Sequence, residues 1–281
     1  MALRSVSEML VNDGESGGIP TTANQLRWLA NHLLYPGLAF AVAVTWLGPL
    51  HGDLWFADQL YTTEGHAWSL HSHFVTEHLL HVGGRHLSAV VWLGVLLAWM
   101  ASWRAPALRP WRKPLLYLWV SVLLSTALVS VIKRESGLDC PWDLLRYGGD
   151  RPYFGWFSTR PAWMPPASCF PAGHAGAGYA WIALYFFFLD RRPAWRWRGL
   201  AIGLIAGATF GIAQQLRGAH FFSHDLWTLM ICWSTALLLH VGMLQVGTGA
   251  SGRAGVVAVI DNASETSTIP ASGPAAPGNA R

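Results

Sequence analysis

Six stretches of the chain contain no Asp, Glu, Lys or Arg, and they constrain its fold more than any other feature. They cover residues 28–52, 86–103, 114–132, 174–189, 199–216 and 226–252. A helix that spans a membrane needs roughly 17–25 mostly apolar residues. We therefore predict an all-α, polytopic membrane protein with six transmembrane helices. For the fourth and shortest stretch, the alternative is a helix buried in a soluble core.

The polar segments at the two ends of the chain set the domain boundaries. We predict a polar N-terminal tail over residues 1–27 and a six-helix membrane domain over residues 28–248. The remaining segment, 249–281, is rich in small and polar residues. This composition is typical of disorder, so we predict a disordered C-terminal tail.

The charges of the short loops predict how the helices are oriented. The loop after the second stretch, RAPALRPWRK, carries four basic residues and no acidic residue. The loop after the fourth stretch, DRRPAWRWR, carries four basic residues and one acidic residue. Cytoplasmic loops are enriched in Lys and Arg, so both chain ends are predicted to be cytoplasmic. The resulting localisation is the cytoplasmic membrane of a bacterium. Since topology accounts for most of the net charge of +4, nucleic acid is not a predicted partner.

Several basic residues lie on the predicted outer face, against this rule. They are Lys133, Arg134, Arg146, Arg151, Arg160 and Arg217. Contact with lipid headgroups would explain any one of them. Their clustering at helix ends also favours binding of phosphate oxygens, to which arginine can offer two parallel hydrogen bonds.

Two histidines and a carboxylate fall on the same predicted face as these cations. His174 begins the fourth stretch, and His220 and Asp225 lie between the fifth and sixth. A neutral imidazole can attack phosphorus to form a phosphohistidine. A carboxylate can fix its tautomer, and a second, protonated histidine can donate a proton to the departing oxygen. Gly173 would let the backbone come close to the phosphate.

Three motifs resemble those of the type-2 phosphatidic acid phosphatase superfamily of integral membrane lipid phosphatases. They are KRESGLDCP, PAGH and QLRGAHFFSHD, and the resemblance spans about residues 114–246. It implies that His220 is the nucleophile, His174 the general acid, Asp225 the residue that orients His220, and Lys133 a phosphate ligand. The predicted topology places this active site at the outer membrane face, and the inferred chemistry calls for no metal ion or cofactor.

The chain departs from the family pattern at four positions. Cys140 and Gln214 stand where the family has arginine, and Ala172 replaces the serine of the second motif. His224 takes the place of the family aspartate, four residues after His220, and Asp225 follows it. Either the turn is one residue longer here or the partner of His220 is not Asp225. Arg217, one helical turn from Gln214, is predicted as a substitute phosphate ligand.

These residues predict a membrane phosphatase that hydrolyses a lipid-linked phosphate or pyrophosphate through a phosphohistidine. The expected partners are that substrate and the surrounding membrane lipids. One alternative is a lipid phosphotransferase with the same intermediate. Another is a non-catalytic lipid-binding protein or transporter. The sequence does not indicate which lipid is the substrate or what oligomer forms.

Seven histidines crowd the first predicted outer loop: His51, His66, His71, His73, His78, His81 and His86. A pair three residues apart, such as His78 and His81, could share a helix face and bind a metal ion. The alternative is imidazoles that lie near anionic headgroups. The inferred phosphohistidine chemistry needs no metal ion.

Two of the three cysteines lie on the predicted outer face. Cys140 is in the first motif and Cys169 lies five residues before His174. An oxidising compartment permits a disulfide, so we predict a bridge between Cys140 and Cys169. The alternative is two unrelated thiols.

Overall fold

The computed structural model describes residues 22–155, 158 and 160–245, and these residues form a helical bundle. The first helix, α1 (Thr22–Leu29), begins within the segment predicted as the N-terminal tail. It continues through a π-helical segment, Ala30–Leu34, into α2 (Tyr35–Leu47). The rest of that predicted tail, residues 1–21, and the predicted C-terminal tail, 249–281, lie outside the described residues.

The remaining helices follow in chain order. A short helix, α3 (Gly52–Thr63), precedes a π-helical segment, Val75–Gly83, which leads into α4 (Gly84–Ala101). Then come α5 (Arg112–Glu135), α6 (Gly173–Tyr179) and α7 (Ala183–Leu189). The last two are α8 (Arg196–Leu216) and α9 (Phe222–His240), of which α9 ends in a π-helical segment, Val241–Gln245.

Within the described part of the chain, five helical segments are long and apolar enough to cross a membrane. They are Leu26–Leu47, Val75–Ala101, Pro106–Glu135, Pro193–Leu216 and Phe222–Leu244. They correspond to five of the six predicted spans and are typical of a multi-pass membrane protein. The all-helical prediction is confirmed for the described residues, but the count of six spans is not.

The fourth predicted span lies at the centre of the bundle. It consists of α6, a 3₁₀ turn over Ala180–Ile182, and α7, with seven, three and seven residues. At 1.5 Å per residue this run is about 25 Å long, shorter than the ~30 Å hydrocarbon core of a bilayer. Ile182 and Phe186 are fully buried. The run is therefore surrounded by the other helices.

A row of glycines on α8 allows this central run to be enclosed so closely. Gly199, Gly203, Gly207 and Gly211 recur at every fourth position and are buried. A Cβ added at Gly199 would lie 2.7 Å from the carbonyl oxygen of Leu184. Small residues on one helix face let two membrane helices approach closely. The row therefore fixes α8 against the central run.

A second, smaller cluster of buried side chains lies at the end of the bundle where α5 ends and α6 begins. Ala57 of α3, Leu144 and Tyr147 of the loop between α5 and α6, and Phe221 of the turn between α8 and α9 form it. Arg146 binds Asp58 of α3 at 2.6 Å. This cluster holds the long loop over the helix ends.

Candidate active site

The predicted catalytic residues converge at this end of the bundle. Lys133 lies in the last turn of α5, His174 in the first turn of α6, and His220 in the turn between α8 and α9. The charge of Lys133 and the ring of His174 both act electrostatically on His220. The structure therefore brings together three residues that are far apart in the sequence.

The start of α6 is held by backbone contacts with α9. The N–H of Ala172 donates to the carbonyl oxygen of His224 at 3.3 Å, and the Thr228 hydroxyl donates to the Ala172 carbonyl oxygen at 3.2 Å. Gly173 lies beside the Lys133 side chain, since a Cβ added there would be 3.5 Å from Lys133 Cδ. The PAGH segment and Lys133 are thus direct neighbours.

His220 is paired with another histidine. Its Nδ1 lies 3.4 Å from Nδ1 of His224, and both side chains are buried. The backbone of Cys169 hydrogen-bonds to both rings. His224 therefore occupies the position at which the family aspartate would meet His220.

The surroundings of His220 keep its ring neutral. Burial lowers its pKa well below the ordinary value of 6.5, and the nearby Lys133, His224 and His174 lower it further. The hydrogen bond to the Cys169 backbone opposes this shift. A neutral imidazole at pH 7 has the free lone pair that a nucleophile needs.

Asp225 is directed away from this histidine pair, towards α8. Its carboxylate accepts a hydrogen bond from Nε2 of Gln215. A Cβ at Gly211 would overlap that carboxylate. Adjacent helix positions point about 100° apart, so α9, which begins at Phe222, cannot present both His224 and Asp225 to His220. Of the two alternatives left open by the sequence, these contacts favour the one in which Asp225 is not the partner, and an orienting role of Asp225 stays a prediction.

Arg217, the predicted substitute phosphate ligand, contacts the first predicted outer loop. Its Nε donates to the carbonyl oxygen of His71 at 2.6 Å, and Nη1 donates to Oε1 of Gln214 at 3.3 Å. Its Nη2 lies 3.9 Å from a carboxylate oxygen of Glu77. These contacts hold that loop against α8. A role of Arg217 in phosphate binding stays a prediction.

The two predicted partner cysteines are joined in the structure. Cys140 and Cys169 form a disulfide with their Cα atoms 5.2 Å apart. Beside it, the N–H of Cys169 donates to the Leu138 carbonyl oxygen at 3.0 Å, and the N–H of Trp142 donates to the Gly218 carbonyl oxygen at 2.9 Å. The disulfide thus ties the first motif to the segment that leads into His174.

A cavity of about 210 Å³ adjoins the histidine pair on the side of the long loop. His224, Asp53 and Arg160 are among the residues that line it. Arg160 binds Asp139 at 2.9 Å, and Arg151 binds the same carboxylate at 2.6 Å. The cavity therefore combines positive and negative side chains next to the proposed reaction centre.

Asp53 is a site residue that the sequence did not single out. It accepts the backbone N–H of Ser223 at 2.9 Å and the Ser223 hydroxyl, so it caps the first turn of α9. Burial raises its pKa to about 6, although the hydrogen bonds from Ser223 act in the opposite direction. Its only sequence signal is a carboxylate directly after a long apolar stretch. The signal for His224, by contrast, is its place four residues after His220.

The histidines of the first predicted outer loop have varied surroundings. His71 lies against Trp142 with 4.6 Å between ring centroids, whereas His78 is exposed. The structure does not describe the side chain of His81. In the described ranges, no group of three or more His, Cys, Asp or Glu side chains is arranged to hold a metal ion.

Comparison with known proteins finds a family model that matches this part of the chain. Residues 114–246 match the model of the PAP2 superfamily. The match confirms the resemblance to the type-2 phosphatidic acid phosphatase superfamily and supports phosphatase-type activity on phosphate esters. No curated protein and no solved structure matches the chain.

Proposed function

Since residues 114–246 carry the PAP2 superfamily match, we propose that this protein is a membrane phosphatase that hydrolyses a lipid-linked phosphate or pyrophosphate through a phosphohistidine. One observation carries the proposal above the others. A buried histidine, His220, is kept neutral beside Lys133 and His174 at one end of a bundle of apolar helices.

The proposed reaction has two steps. Nε2 of His220 attacks phosphorus, because its Nδ1 faces His224. A P–N bond forms while the bond from phosphorus to the lipid oxygen breaks, and His174 donates a proton to that oxygen. Water then attacks the phosphohistidine, His174 accepts its proton, and the P–N bond breaks to release phosphate. Lys133 stabilises the negative charge on the phosphoryl oxygens in both steps.

The charge distribution supports an outward-facing active site. The basic loops that contain Arg104, Arg109, Arg191 and Arg192 connect the helix ends opposite to His174 and His220. Cytoplasmic loops carry the excess of Lys and Arg in membrane proteins. We therefore assign the reaction to the outer face of a bacterial cytoplasmic membrane, where the cavity at Arg160 would receive the headgroup.

Phosphate release tests this function directly. Purified protein is incubated with phosphatidic acid, phosphatidylglycerol phosphate, undecaprenyl pyrophosphate and a lipid A phosphate. We expect one of these substrates to release inorganic phosphate with multiple turnovers. A product that forms only when an acceptor lipid is added would instead identify a phosphotransferase. A protein that binds these lipids without any turnover would support the non-catalytic alternative.

Replacement of Lys133 by methionine should change both the rate and its pH dependence. We expect kcat/KM at pH 8 to fall about a hundredfold, because a positive charge is lost at the phosphoryl group. Lys133 also helps to lower the pKa of His220, so its removal should raise that pKa. More His220 would then be protonated in acid, and the acidic limb of kcat/KM would move to higher pH. Lys113→Met, at an exposed position in the first turn of the same helix, is the matched control and should change neither quantity.

Replacement of His224 by aspartate should accelerate the reaction. A carboxylate stabilises the positive charge that develops on a reacting imidazole better than a neutral histidine does. We expect kcat to rise roughly tenfold in His224→Asp and to fall in His224→Ala. Asp225→Asn serves as the comparison, since that carboxylate binds Gln215. A collapse of kcat in Asp225→Asn with normal turnover in His224→Ala would identify Asp225 as the orienting residue.

A further inference from the structure

A groove of about 950 Å³ lies between the N-terminal helices and the rest of the bundle. Side chains from α1 and α2 form one wall, and side chains from α7, α8 and α9 form the other. Its lining is mainly apolar and includes Phe40, Ala43, Leu204, Leu226, Met230 and Trp233. The groove is therefore built from surfaces that a membrane protein would turn towards hydrocarbon.

One end of the groove is polar. His32 bonds to the Tyr185 hydroxyl at 3.0 Å and to the Trp28 carbonyl oxygen at 2.8 Å. Arg196 lines the same end, and its Nε is buried without a hydrogen-bond partner in the described part of the chain. A buried donor without a partner is unfavourable, so this end lacks an acceptor.

The dimensions of the groove fit one lipid chain. It follows the N-terminal helices from Trp28 to Ala43, which is about 22 Å at 1.5 Å per residue. This length exceeds half of the ~30 Å hydrocarbon core of a bilayer. An apolar groove left empty would lose dispersion contacts along its whole lining. A hydrocarbon chain supplies these contacts without any backbone groups that need hydrogen bonds.

We propose that this groove is a lipid-binding site for an anionic phospholipid, with one hydrocarbon chain along the groove and the phosphate on Arg196. The guanidinium offers charged donors to phosphate oxygens, and the N-terminus of α8 adds positive potential at the same place. Among the described residues, no acidic side chain lines the groove. A negatively charged headgroup is therefore favoured over a zwitterionic one.

This lipid cannot be the substrate in its reacting position. Arg196 and Leu216 are the first and last residues of α8. A helix of this length separates the Arg196 end from the His220 turn by roughly 30 Å. The site therefore binds a second lipid, and its occupancy does not depend on the proposed phosphatase reaction.

Lipid binding to purified full-length protein tests the proposal, with native mass spectrometry as the readout. The His220→Ala background prevents turnover, and the probes are phosphatidylglycerol and phosphatidylcholine with identical chains. We expect phosphatidylglycerol to bind about tenfold more tightly, because both lipids offer the same phosphate to Arg196 but the choline cation of phosphatidylcholine would meet the positive potential at that end of the groove. Arg196→Gln should abolish this preference, and Arg196→Lys should retain most of it.

Two matched controls separate this site from lipids bound non-specifically around the protein. Arg198 lies two residues further along α8, over the ring of Trp195 and outside the groove lining, so Arg198→Gln should preserve the preference. Ala43→Trp should weaken binding of both lipids by filling the groove, whereas Leu238→Trp, at an exposed position, should not. Equal losses in Arg196→Gln and Arg198→Gln, or no preference in the His220→Ala background, would overturn the proposal.

Discussion

Replacement of His220 by alanine is expected to lower the rate of phosphate release at least about a thousandfold. The variant lacks the nitrogen that is proposed to bond to phosphorus, and the other buried ring, His224, lies on the far side of His220 Nδ1. Lys133 and His174 would still surround the phosphate, so substrate binding should change far less than turnover. The prediction is therefore a loss in kcat with a nearly unchanged KM.

Rapid quenching with a ³²P-labelled substrate measures the intermediate itself. The wild-type protein should yield an acid-labile, base-stable phosphoprotein, and peptide mapping should place the label on His220. His78→Ala is the matched control, since this exposed histidine lies outside the site. Near-normal turnover in His220→Ala, or a label on His174, would reverse the proposed roles.

The sequence predicted most of the helices because charge-free apolar stretches leave few other folds. It did not predict that the fourth stretch would be enclosed by the others. That outcome depends on the glycine row of α8, since Gly203 and Gly207 admit Ile182 and Tyr179 at distances that any Cβ would prevent. The row is visible in the sequence, but its partner surface appears only in the folded bundle.

The site shows a similar division between what sequence patterns reveal and what the fold adds. The motifs predicted the convergence of Lys133, His174 and His220, because motif order and the predicted topology place them at one set of helix ends. They left the partner of His220 open between two adjacent residues. Which of His224 and Asp225 faces His220 depends on the residue at which α9 begins. Asp53 caps that first turn through the backbone N–H of Ser223. Asp53 lies 170 residues earlier in the chain, beyond the reach of local patterns.

The disulfide explains how the site stays ordered where the family arginine is replaced by Cys140. Cys169, the other half of the bridge, hydrogen-bonds through its backbone to the rings of His220 and His224. The bridge therefore fixes a backbone segment that positions both histidines. Its Cα atoms, 5.2 Å apart, lie in the range usual for disulfides, and its main thermodynamic effect should fall on the unfolded chain.

Loss of this disulfide is expected to lower the free energy of unfolding by about 3–4 kcal/mol, because the bridge closes a loop between residues 29 positions apart. Turnover should fall as well, since the Cys169 backbone would no longer be held against the two rings. Thermal inactivation in detergent and kcat are measured for the wild type with and without reductant, and for the double variant Cys140→Ser, Cys169→Ser.

Cys232→Ala, which removes the buried free thiol, is the control and should keep the full response to reductant. The double variant should behave like the reduced wild type and ignore reductant. If the reduced wild type kept its inactivation temperature and its kcat, the bridge would have no part in ordering the site.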